Sequence, residues 1–415
     1  MTVIIAGAGI SGLTLGLSLF EKAIPFQIFE SVSELRPLGL GINLQPHAVR
    51  ELTEMGFLNQ LDQIGLRTEE VAYFSEYGTH IWSELRGIKA GYSWPQFSIH
   101  RGKLQMLLLG NLLARAGEGC VIFGKQVNGV KTTSQGVTVT MEDRSTGVTQ
   151  TVVGKVLVGA DGINSQVRAI LHPQDGPPSW GGTIMLRGAT IGPRFLTGRS
   201  VTMTGVKDRK FVAYPIADVG TDKSLINWIA DLSFPADHKW LRQDWNRAGS
   251  LDDFLPDFTD WNFDWLDVPA IIKGADTPLE FPMVDRNPLD QWTFGNATLT
   301  GDAAHAMYPI GSNGASQCIV DIRVLTQSFI DNGVTQNALQ AYEDIRRPVT
   351  NAIVLANRGD GPDKILDEVA TRAPNGFTHI RNIMSEDELK TVASKYKTIA
   401  GFDVDDLNSR PNIVR

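Results

Sequence analysis

The chain has 415 residues, of which 42% are hydrophobic and 20% are charged, and its formal net charge is −8. This length exceeds what one ordinary hydrophobic core organises, so two connected domains are expected. The acidic balance argues against nucleic acid or an anionic membrane as a partner, because both favour basic protein surfaces. The chain has no run of about 18 apolar residues, so no membrane span is expected.

The cysteines Cys120 and Cys318 lie far apart and in no metal-ligand spacing. They predict reduced thiols, a cytoplasmic location and no metal site. The apolar start of the chain lacks the basic leader of a secretory signal, which agrees with that location.

The N-terminal residues predict a βαβ unit. Residues 3–6 are a β-branched run typical of a buried parallel strand, and residues 13–22 have helical apolar spacing. Residues 25–30 predict a second strand that ends on Glu30. A carboxylate at that point would accept hydrogen bonds from ribose hydroxyls and would repel a 2′-phosphate.

The sequence Gly7-Ala-Gly9-Ile-Ser11-Gly12 lies between the first predicted strand and the helix. Gly7 permits a tight turn, Gly9 lets the backbone approach a pyrophosphate, and Gly12 lets the helix pack closely on the strand. In this context the motif predicts dinucleotide binding, and by itself it leaves NAD and FAD open.

The next part of the chain is predicted to alternate between helices and strands. Helices are predicted at residues 49–55 and 104–115, and strands at 71–77, 80–84, 137–141, 149–153 and 155–158. Residues near 176–182 are rich in Gly and Pro and predict a domain boundary.

From residue 183 to about residue 280, strand patterns dominate. Strands are predicted at 183–188, 211–216 and 225–232. Five tryptophans cluster there and are expected in the core more than in a stacking site: Trp228, Trp240, Trp245, Trp261 and Trp265. This segment predicts a mostly β domain that interrupts the nucleotide domain, so that both border one cleft.

Two further glycine–acid pairs follow predicted strands, Asp161-Gly162 and, about 140 residues later, Gly301-Asp302. An NAD enzyme needs neither pair, whereas the ribityl chain of FAD needs acceptors for its hydroxyls, a role that suits Asp302. The alternative for each acid is a helix cap or turn residue. The joint occurrence of the three motifs favours FAD.

The third motif continues through Pro309, Gly311, Asn313, Gly314 and Ala315 into a predicted helix. The free N–H groups at a helix start would stabilise the negative charge of reduced flavin by up to about 1–2 kcal/mol.

The last part of the chain predicts helices at 314–330, 335–356 and 386–400. Pro348 lies inside the second of these and predicts a kink or break.

With these motifs in place, the chain resembles the single-component FAD-dependent aromatic hydroxylases, the group of 4-hydroxybenzoate and salicylate hydroxylases. The resemblance covers residues 1–357. It is most specific, and most similar to phenazine monooxygenases, in ELRPLGLGINLQP, PQFSIHRGKLQM, FPMVDRNPL and MYPIGSNGASQ.

The resemblance implies an α/β fold with a Rossmann-like FAD-binding domain of the 4-hydroxybenzoate hydroxylase type, an inserted mostly β substrate domain and a C-terminal helical tail. The FAD-binding domain would comprise residues 1–180 and 281–361, with 70–100 contributing strands to the substrate side. The substrate domain would comprise 181–280 and the tail 362–415.

Further cofactor contacts follow from the resemblance. The loop at Gly41 would lie beside the isoalloxazine, Arg101 and Gln105 would reach the phosphate and ribityl region, and Val127 would flank the adenine. A surface ion pair is the alternative for Arg101. The full predicted FAD set is Gly7, Gly9, Ser11, Gly12, Glu30, Ser31, Arg36, Gly41, Ile42, Asn43, Arg101, Gln105, Val127, Asp161, Gly162, Gly301, Asp302, Pro309, Gly311, Asn313, Gly314 and Ala315.

The resemblance also implies the chemistry. NADH or NADPH would transiently reduce the flavin, O₂ would form a flavin C4a-hydroperoxide, and a small aromatic substrate would be hydroxylated, with loss of a carboxyl group in the salicylate and phenazine types. Water must be kept out to prevent uncoupled decay.

Three residues are candidates for direct action on the substrate. His47 would activate a substrate hydroxyl, since its pKa lies near neutrality; its alternative is a partly exposed histidine at a helix start. Tyr214 would bond a substrate hydroxyl, or is an aromatic core residue. Arg187 would receive a substrate carboxylate, or forms a salt bridge between domains.

Other readings remain open at this point. A halogenase or an FAD-linked reductase would share the fold, although the Trp-x-Trp-x-Ile-Pro signature of halogenases is absent. A non-catalytic flavin-binding protein is a further alternative. The protein is expected to be a monomer or a homodimer.

Overall fold

The computed structural model describes residues 2–235, 237–238, 247–359 and 361–415, with only the backbone for residues 393–395. Trp240 and Trp245 of the predicted cluster lie outside the described residues. The fold is α/β, and its described strands form five sheets.

A parallel sheet is built from the buried apolar runs of the chain. Its strand order is Ala297–Leu299, Val156–Gly159, Val3–Ala6, Phe26–Phe29 and Val121–Ile122. Ala6 is in register with Gly159, and Gly159 with Leu299. The three glycine–acid motifs therefore begin at one edge of the sheet, where the carboxyl ends of parallel strands create a binding crevice.

A second, seven-stranded sheet carries the β-rich part of the chain. Its strand order is Leu279–Asp285, Ser179–Pro193, Lys223–Ser233, Arg209–Val219, Ser200–Val206, Glu70–Phe74 and His80–Leu85. Side chains alternate between its two faces. Leu186, Phe211 and Trp228 pack with Trp261 in a core on one face. Val212 belongs to a different core on the opposite face.

Smaller sheets complete the β structure. The three-stranded sheets comprise Thr149–Gly154, Gly136–Asp143 and Lys125–Thr133, and Gly41–Leu44, Gln96–His100 and Gly65–Thr68; a two-stranded sheet pairs Asn262–Phe263 with Leu266–Asp267.

The α-helices of the described chain precede, link and follow these sheets. They are Ile10–Glu21, Pro46–Glu54, Leu58–Ile64, Arg101–Ala116, Gln166–Leu171, Leu251–Phe254, Val268–Lys273, Asp302–His305, Gly314–Asn332, Gln336–Asn357, Lys364–Arg372, Glu386–Ala400 and Val404–Ser409. None of the described helices combines the length and apolar character needed to span a bilayer.

Of the kink or break predicted at Pro348, the break is wrong, because Gln336–Asn357 continues through it as one helix. Pro348 removes a helical hydrogen bond to the carbonyl of Asp344. Both residues are exposed, so solvent can satisfy that carbonyl. Arg346 and Thr350 anchor the buried side of the same helix.

The C-terminal tail contains two helices besides the predicted one. Ile365, Val369 and Leu389 pack against the seven-stranded sheet in a single core. On the parallel-sheet side, Arg50 donates hydrogen bonds to the carbonyl oxygens of Leu407 and Arg410. The tail therefore contacts both large parts of the molecule.

Candidate active site

Two adjoining cavities form one long cleft above the edge of the parallel sheet. The glycine-loop cavity, of about 630 Å³, is lined by residues including Gly7, Glu30 and Val127. The sheet cavity, of about 270 Å³, is lined by residues including Gly41 and Tyr214. Their walls share Gly9, Ile42, Arg101, Ala160, Gly162, Arg187 and Asp302.

The GAGISG turn leaves one glycine open to a ligand. A Cβ on Gly7, whose φ is +101°, would lie 2.6 Å from the carbonyl oxygen of Ala160, and a Cβ on Gly12 would overlap the carbonyl oxygen of Gly7. A Cβ on Gly9 would meet no protein atom within 4 Å among the described residues. Gly9 immediately precedes the helix Ile10–Glu21, so space is free where helix N–H groups attract an anion.

The peptide of Ala8 is held on both sides. Its N–H donates to Glu30 Oε2 at 2.7 Å, and its carbonyl accepts a hydrogen bond from Gln105 Nε2 at 2.9 Å. Glu30 Oε1 also accepts from the Ser31 hydroxyl and the Val32 amide, each at 3.0 Å. These contacts fix the backbone of the glycine turn. Ser31, Arg36 and Val127 of the predicted FAD set line the same cavity.

The two acids of the later motifs have different surroundings. Asp161 accepts hydrogen bonds from the Ser165 hydroxyl at 2.5 Å and from the amides of Gln166 and Val167 at 2.8 and 3.1 Å. It therefore orders the start of the helix Gln166–Leu171, which is the capping alternative, while also lining the glycine-loop cavity.

Asp302 and Arg101 are available to a ligand at the junction of the two cavities. Both are exposed and line both cavities. Within the described part of the chain, no hydrogen bond reaches the carboxylate of Asp302, and Arg101 makes no ion pair. A ribityl hydroxyl and a phosphate are suitable partners for these two groups.

A buried network behind Asp302 was not predicted. Asp321 Oδ2 is 2.5 Å from His305 Nε2 and accepts from the Gly301 amide at 3.2 Å, while its Oδ1 accepts from Arg346 Nε at 2.7 Å. Burial would raise the pKa of Asp321, but His305 and Arg346 outweigh burial and lower it. An acid on the buried face of the helix Gly314–Asn332 is the sequence signal that could have revealed this network.

The Gly41 peptide is clamped by the seven-stranded sheet. Asn227 Oδ1 accepts from its N–H at 2.6 Å, and its carbonyl oxygen accepts from the Tyr214 hydroxyl at 2.8 Å and from Arg187 Nη2 at 3.1 Å. Burial raises the pKa of Tyr214 to about 12. Tyr214 and Arg187 line the cleft. Each donates a hydrogen bond to the Gly41 carbonyl oxygen, whereas the sequence predicted that both would bind the substrate. Asn227 carries no motif signal and was not predicted.

His47 contradicts the expected contact with substrate and also its alternative of partial exposure. It is buried, stacks on Phe402 with ring centroids 5.1 Å apart, and lines neither cavity. Burial, followed by the nearby Arg346 and Arg410, lowers its pKa to about 3. The C-terminal tail covers this residue, which local sequence could not indicate.

The start of the helix Gly314–Asn332 faces the sheet cavity, where Pro309, Asn313, Gly314 and Ala315 contribute to the wall. Three glycines of the predicted set lie behind the walls of both cavities: Gly12, Gly301 and Gly311. A Cβ on Gly311 would overlap Tyr396 of the tail, and one on Gly301 would overlap Ser11. These glycines permit close packing, which for Gly12 is the role that the sequence predicts. Direct cofactor contact by Gly301 and Gly311 stays a prediction.

The cleft fits an extended dinucleotide such as FAD. Gly9 leaves room for a pyrophosphate, and Asp302 and Arg101 are unpaired within the described chain at the middle of the cleft. Glu30 lines the glycine-loop cavity, and the helix start at Gly314 lines the sheet cavity. The two cavities and the wall that they share thus offer partners for the adenosine, the phosphate–ribityl and the flavin parts of FAD.

Comparison with known proteins supports the same cofactor. A family model described as FAD binding domain matches residues 1–179 and 279–357. The chain is 43% identical over 361 residues to the phenazine 1,6-dicarboxylic acid hydroxylase of Lysobacter antibioticus, covering 86% of this chain and 89% of that one. It is 27% identical over 425 residues to the 3-amino-4-hydroxybenzoate 2-monooxygenase PtmB3 of Streptomyces platensis, covering 98% of each chain.

A solved structure shares the fold. The complex of Klebsiella pneumoniae HpxO with FAD and uric acid is 22% identical and superposes with a TM-score of 0.73, covering 99% of this chain and 97% of that chain. The combination of the family match, the relatives and a cleft suited to FAD identifies the cofactor as FAD and the protein as an enzyme. The chain belongs to the single-component FAD-dependent aromatic hydroxylases and is an FAD-dependent monooxygenase.

Proposed function

We propose that this enzyme uses NADH or NADPH and O₂ to hydroxylate an aromatic or heteroaromatic ring that bears a carboxylate. Bound FAD supplies the redox chemistry, accepting a hydride and activating O₂. The protein's part is to bind and orient the ring, to hold the cofactor and to exclude water.

The observation that carries the proposal is the composition of the sheet cavity. Its wall is largely apolar and is formed by Met185, Met203, Val212, Ile229 and Met283. Methionine side chains are polarizable and adapt to the faces of flat rings. The same wall contains the cationic side chains of Arg187 and Lys210. Ligand sites of this type combine apolar surface with a few polar groups that orient the ligand.

The Gly41 clamp gives this cavity a defined position relative to the cofactor loop. Tyr214, Arg187 and Asn227 belong to the seven-stranded sheet, whereas Gly41 precedes the predicted isoalloxazine contacts Ile42 and Asn43. A ring held against the sheet is thereby held at a constant distance from that loop. Such positioning lowers the entropic barrier to reaction.

Burial of the cavity supports the exclusion of water. Met185, Met203, Val212 and Met283 are each less than 10% exposed. A dry site prevents loss of reduced cofactor to unproductive reaction with O₂ and water. The relatives named above act, by their names, on a phenazine dicarboxylic acid and an aminohydroxybenzoate. We extend the same chemical class, a carboxylated aromatic ring, to this chain.

The test is NADH and NADPH oxidation under air by the FAD-loaded enzyme. Phenazine-1,6-dicarboxylate, 3-amino-4-hydroxybenzoate and salicylate form the panel, and each product is examined by mass spectrometry with ¹⁸O₂. We expect at least one acid to accelerate oxidation and to gain one ¹⁸O atom. Measurement of CO₂ release separates decarboxylative from simple hydroxylation. If no acid gains oxygen while the enzyme binds FAD, the proposed substrate class is wrong.

The same assay also measures whether the enzyme prefers NADH or NADPH as the reductant. Matched reactions with NADH and NADPH give the reductant, and H₂O₂ production without substrate gives the uncoupled background. The predicted cytoplasmic location belongs with this proposal, since both reductants are cytoplasmic metabolites and Cys120 and Cys318 are free thiols.

A further inference from the structure

Resting on the proposed function, we propose that Lys210 recognises the substrate carboxylate and that Asp363 of the C-terminal tail occupies the Lys210 ammonium until the substrate arrives. The tail would then contribute a specificity-determining residue to a cavity whose other walls belong to the sheet and the FAD-binding part of the chain. Neither residue belongs to a sequence motif.

Lys210 lies in a cluster of charged side chains on the cavity wall. Lys210 and Asp231 are directly opposite each other on neighbouring antiparallel strands. Lys210 Nζ is 3.5 Å from Asp231 Oδ2 and 2.5 Å from Asp363 Oδ2. All three residues line the sheet cavity. The cluster therefore places one ammonium and two carboxylates beside the volume proposed for the ring.

The ammonium depends on these carboxylates because Lys210 is only 6% exposed. Burial disfavours its charge, but Asp363 and Asp231 outweigh burial and raise the pKa of Lys210. An ammonium carries three donors, of which one bonds Asp363, while Asp231 adds an ion pair at 3.5 Å. A substrate carboxylate can replace one acid without leaving the buried charge unpaired, which would be costly.

Asp363 is the acid that can be exchanged. Its side chain is 18% exposed, against 5% for Asp231, which lies on a strand in the interior of the sheet. Asp363 precedes the helix Lys364–Arg372, but its carboxylate does not cap that helix. Within the described chain, Lys210 is the one ionic and hydrogen-bonding partner of that carboxylate. Turning it toward solvent therefore breaks the one ionic and hydrogen-bonding contact that it makes with the described residues.

Unsatisfied polar atoms on the same wall indicate that a polar ligand completes it. Asp231 Oδ1 and Arg187 Nε are buried and have no hydrogen-bond partner among the described residues. Only 3% of Asp231 is exposed. The first atom needs a donor and the second an acceptor. A ring that carries a carboxylate and a hydroxyl or amino group offers both.

The test compares acid and amide forms of the same ring. Isothermal titration calorimetry on the FAD-loaded enzyme measures Kd for phenazine-1,6-dicarboxylate against its dicarboxamide, and for 3-amino-4-hydroxybenzoate against its carboxamide. In Asp363→Asn we expect acid binding to tighten about fivefold, because a competing carboxylate is removed. Amide binding should stay within about twofold.

Two further variants test whether the effect comes from the Lys210–Asp363 pair. Lys210→Met combined with Asp363→Asn removes both charges of the closest pair, and acid binding should weaken about tenfold relative to the amide. Asp367→Asn is the matched control, because Asp367 lies on the same tail helix, accepts from the Lys207 amide at 2.8 Å and lines neither cavity. Thermal unfolding confirms that each variant is folded.

The outcomes distinguish this proposal from the one on which it rests. If Asp363→Asn changes acid and amide binding equally, or changes neither, Asp363 is not a place-holder and the proposal is overturned. If the wild-type enzyme binds the amides and not the acids, carboxylate recognition by Lys210 is overturned while ring hydroxylation stands. If it binds none of the four compounds, the proposed substrate class fails first.

Discussion

The Tyr214 hydroxyl donates a hydrogen bond of 2.8 Å to the carbonyl oxygen of Gly41, 173 residues earlier in the chain. This contact joins the seven-stranded sheet to the loop predicted to lie beside the flavin. Arg187 and Asn227 bind the same peptide, so that three side chains of one sheet hold a single backbone unit of another part of the fold. The cofactor loop and the proposed substrate wall are therefore mechanically connected.

Replacing Tyr214 by Phe removes one of the two donors to the Gly41 carbonyl oxygen. We expect the free energy of unfolding to fall by about 1 kcal/mol, the usual net value of such a hydrogen bond. FAD should also dissociate faster, because the loop is less restrained. Chemical denaturation and FAD release followed by fluorescence measure the two effects. Tyr77→Phe is the control, since its exposed hydroxyl bonds the Pro374 carbonyl far from the cleft. Equal effects in the two variants would contradict the importance of the clamp.

Replacing Asp302 by Ala tests the predicted ribityl contact. A hydrogen bond between a carboxylate and a ligand hydroxyl contributes more than a neutral one, so Kd for FAD should rise about tenfold or more. Equilibrium titration of the apoprotein with FAD gives this Kd. Asp331→Asn is a suitable control, because Asp331 lies near the far end of the helix Gly314–Asn332 and bonds only Gln327 in the described chain. Unchanged FAD affinity in Asp302→Ala would remove this residue from the cofactor site.

The buried neutral His47 predicts a pH-dependent stability. Its pKa is about 3 in the folded protein and 6.5 in the reference state, so the unfolded chain binds more protons between these values. Stability must therefore fall as the pH decreases from 6.5 toward 3. At pH 5 the loss attributable to His47 is about 2 kcal/mol.

Chemical denaturation at pH 7 and pH 5 measures this loss. The wild-type protein should lose about 2 kcal/mol more than His47→Asn between the two conditions. Phe402→Leu weakens the stacking but keeps the imidazole, so it should lower stability at both pH values and retain the wild-type difference. If His47→Asn shows the full wild-type pH dependence, another group is responsible.

Gly311→Ala tests the close packing of the tail on the loop before the helix Gly314–Asn332. The new methyl group would overlap Tyr396. Because the neighbouring groups must shift to make room, the free energy of unfolding should fall by about 1–3 kcal/mol. Combining it with Tyr396→Ala should recover part of that cost in a double-mutant cycle on the free energy of unfolding. Gly110→Ala is the control, because its methyl group meets nothing within 4 Å among the described residues. Strict additivity of the two substitutions would contradict the contact.

The nucleotide part of the cleft was accessible from sequence because its chemistry is local. The positive φ of Gly7 and the contact of Gly12 with the Gly7 carbonyl are backbone features of one strand–turn–helix unit. The place of Asp302, just after a buried strand, followed from the same reasoning. Local reasoning did not separate Asp302 from Asp161, whose carboxylate caps its own helix. That distinction depends on which backbone amides turn toward each acid.

The substrate part of the cleft was largely inaccessible from sequence. Tyr214 and Arg187 were singled out, but their bonds to Gly41 depend on how the sheet lies across the cofactor loop. Lys210 and Asp231 meet only because of strand register, and Asp363 reaches them only because the tail folds back onto the sheet. His47 was misassigned because Phe402 covers it from the far end of the chain.

By itself, the sequence predicted the βαβ unit and a dinucleotide site, since these depend on hydrophobic periodicity and on short motifs whose backbone conformation is local. Its resemblance to the aromatic hydroxylases implied the rest of the α/β fold and the family. Only the tertiary structure decided which acid is unpaired, which histidine is buried and which charges border the ring. These properties depend on desolvation and on contacts between residues far apart in the chain, and neither is encoded in any single segment.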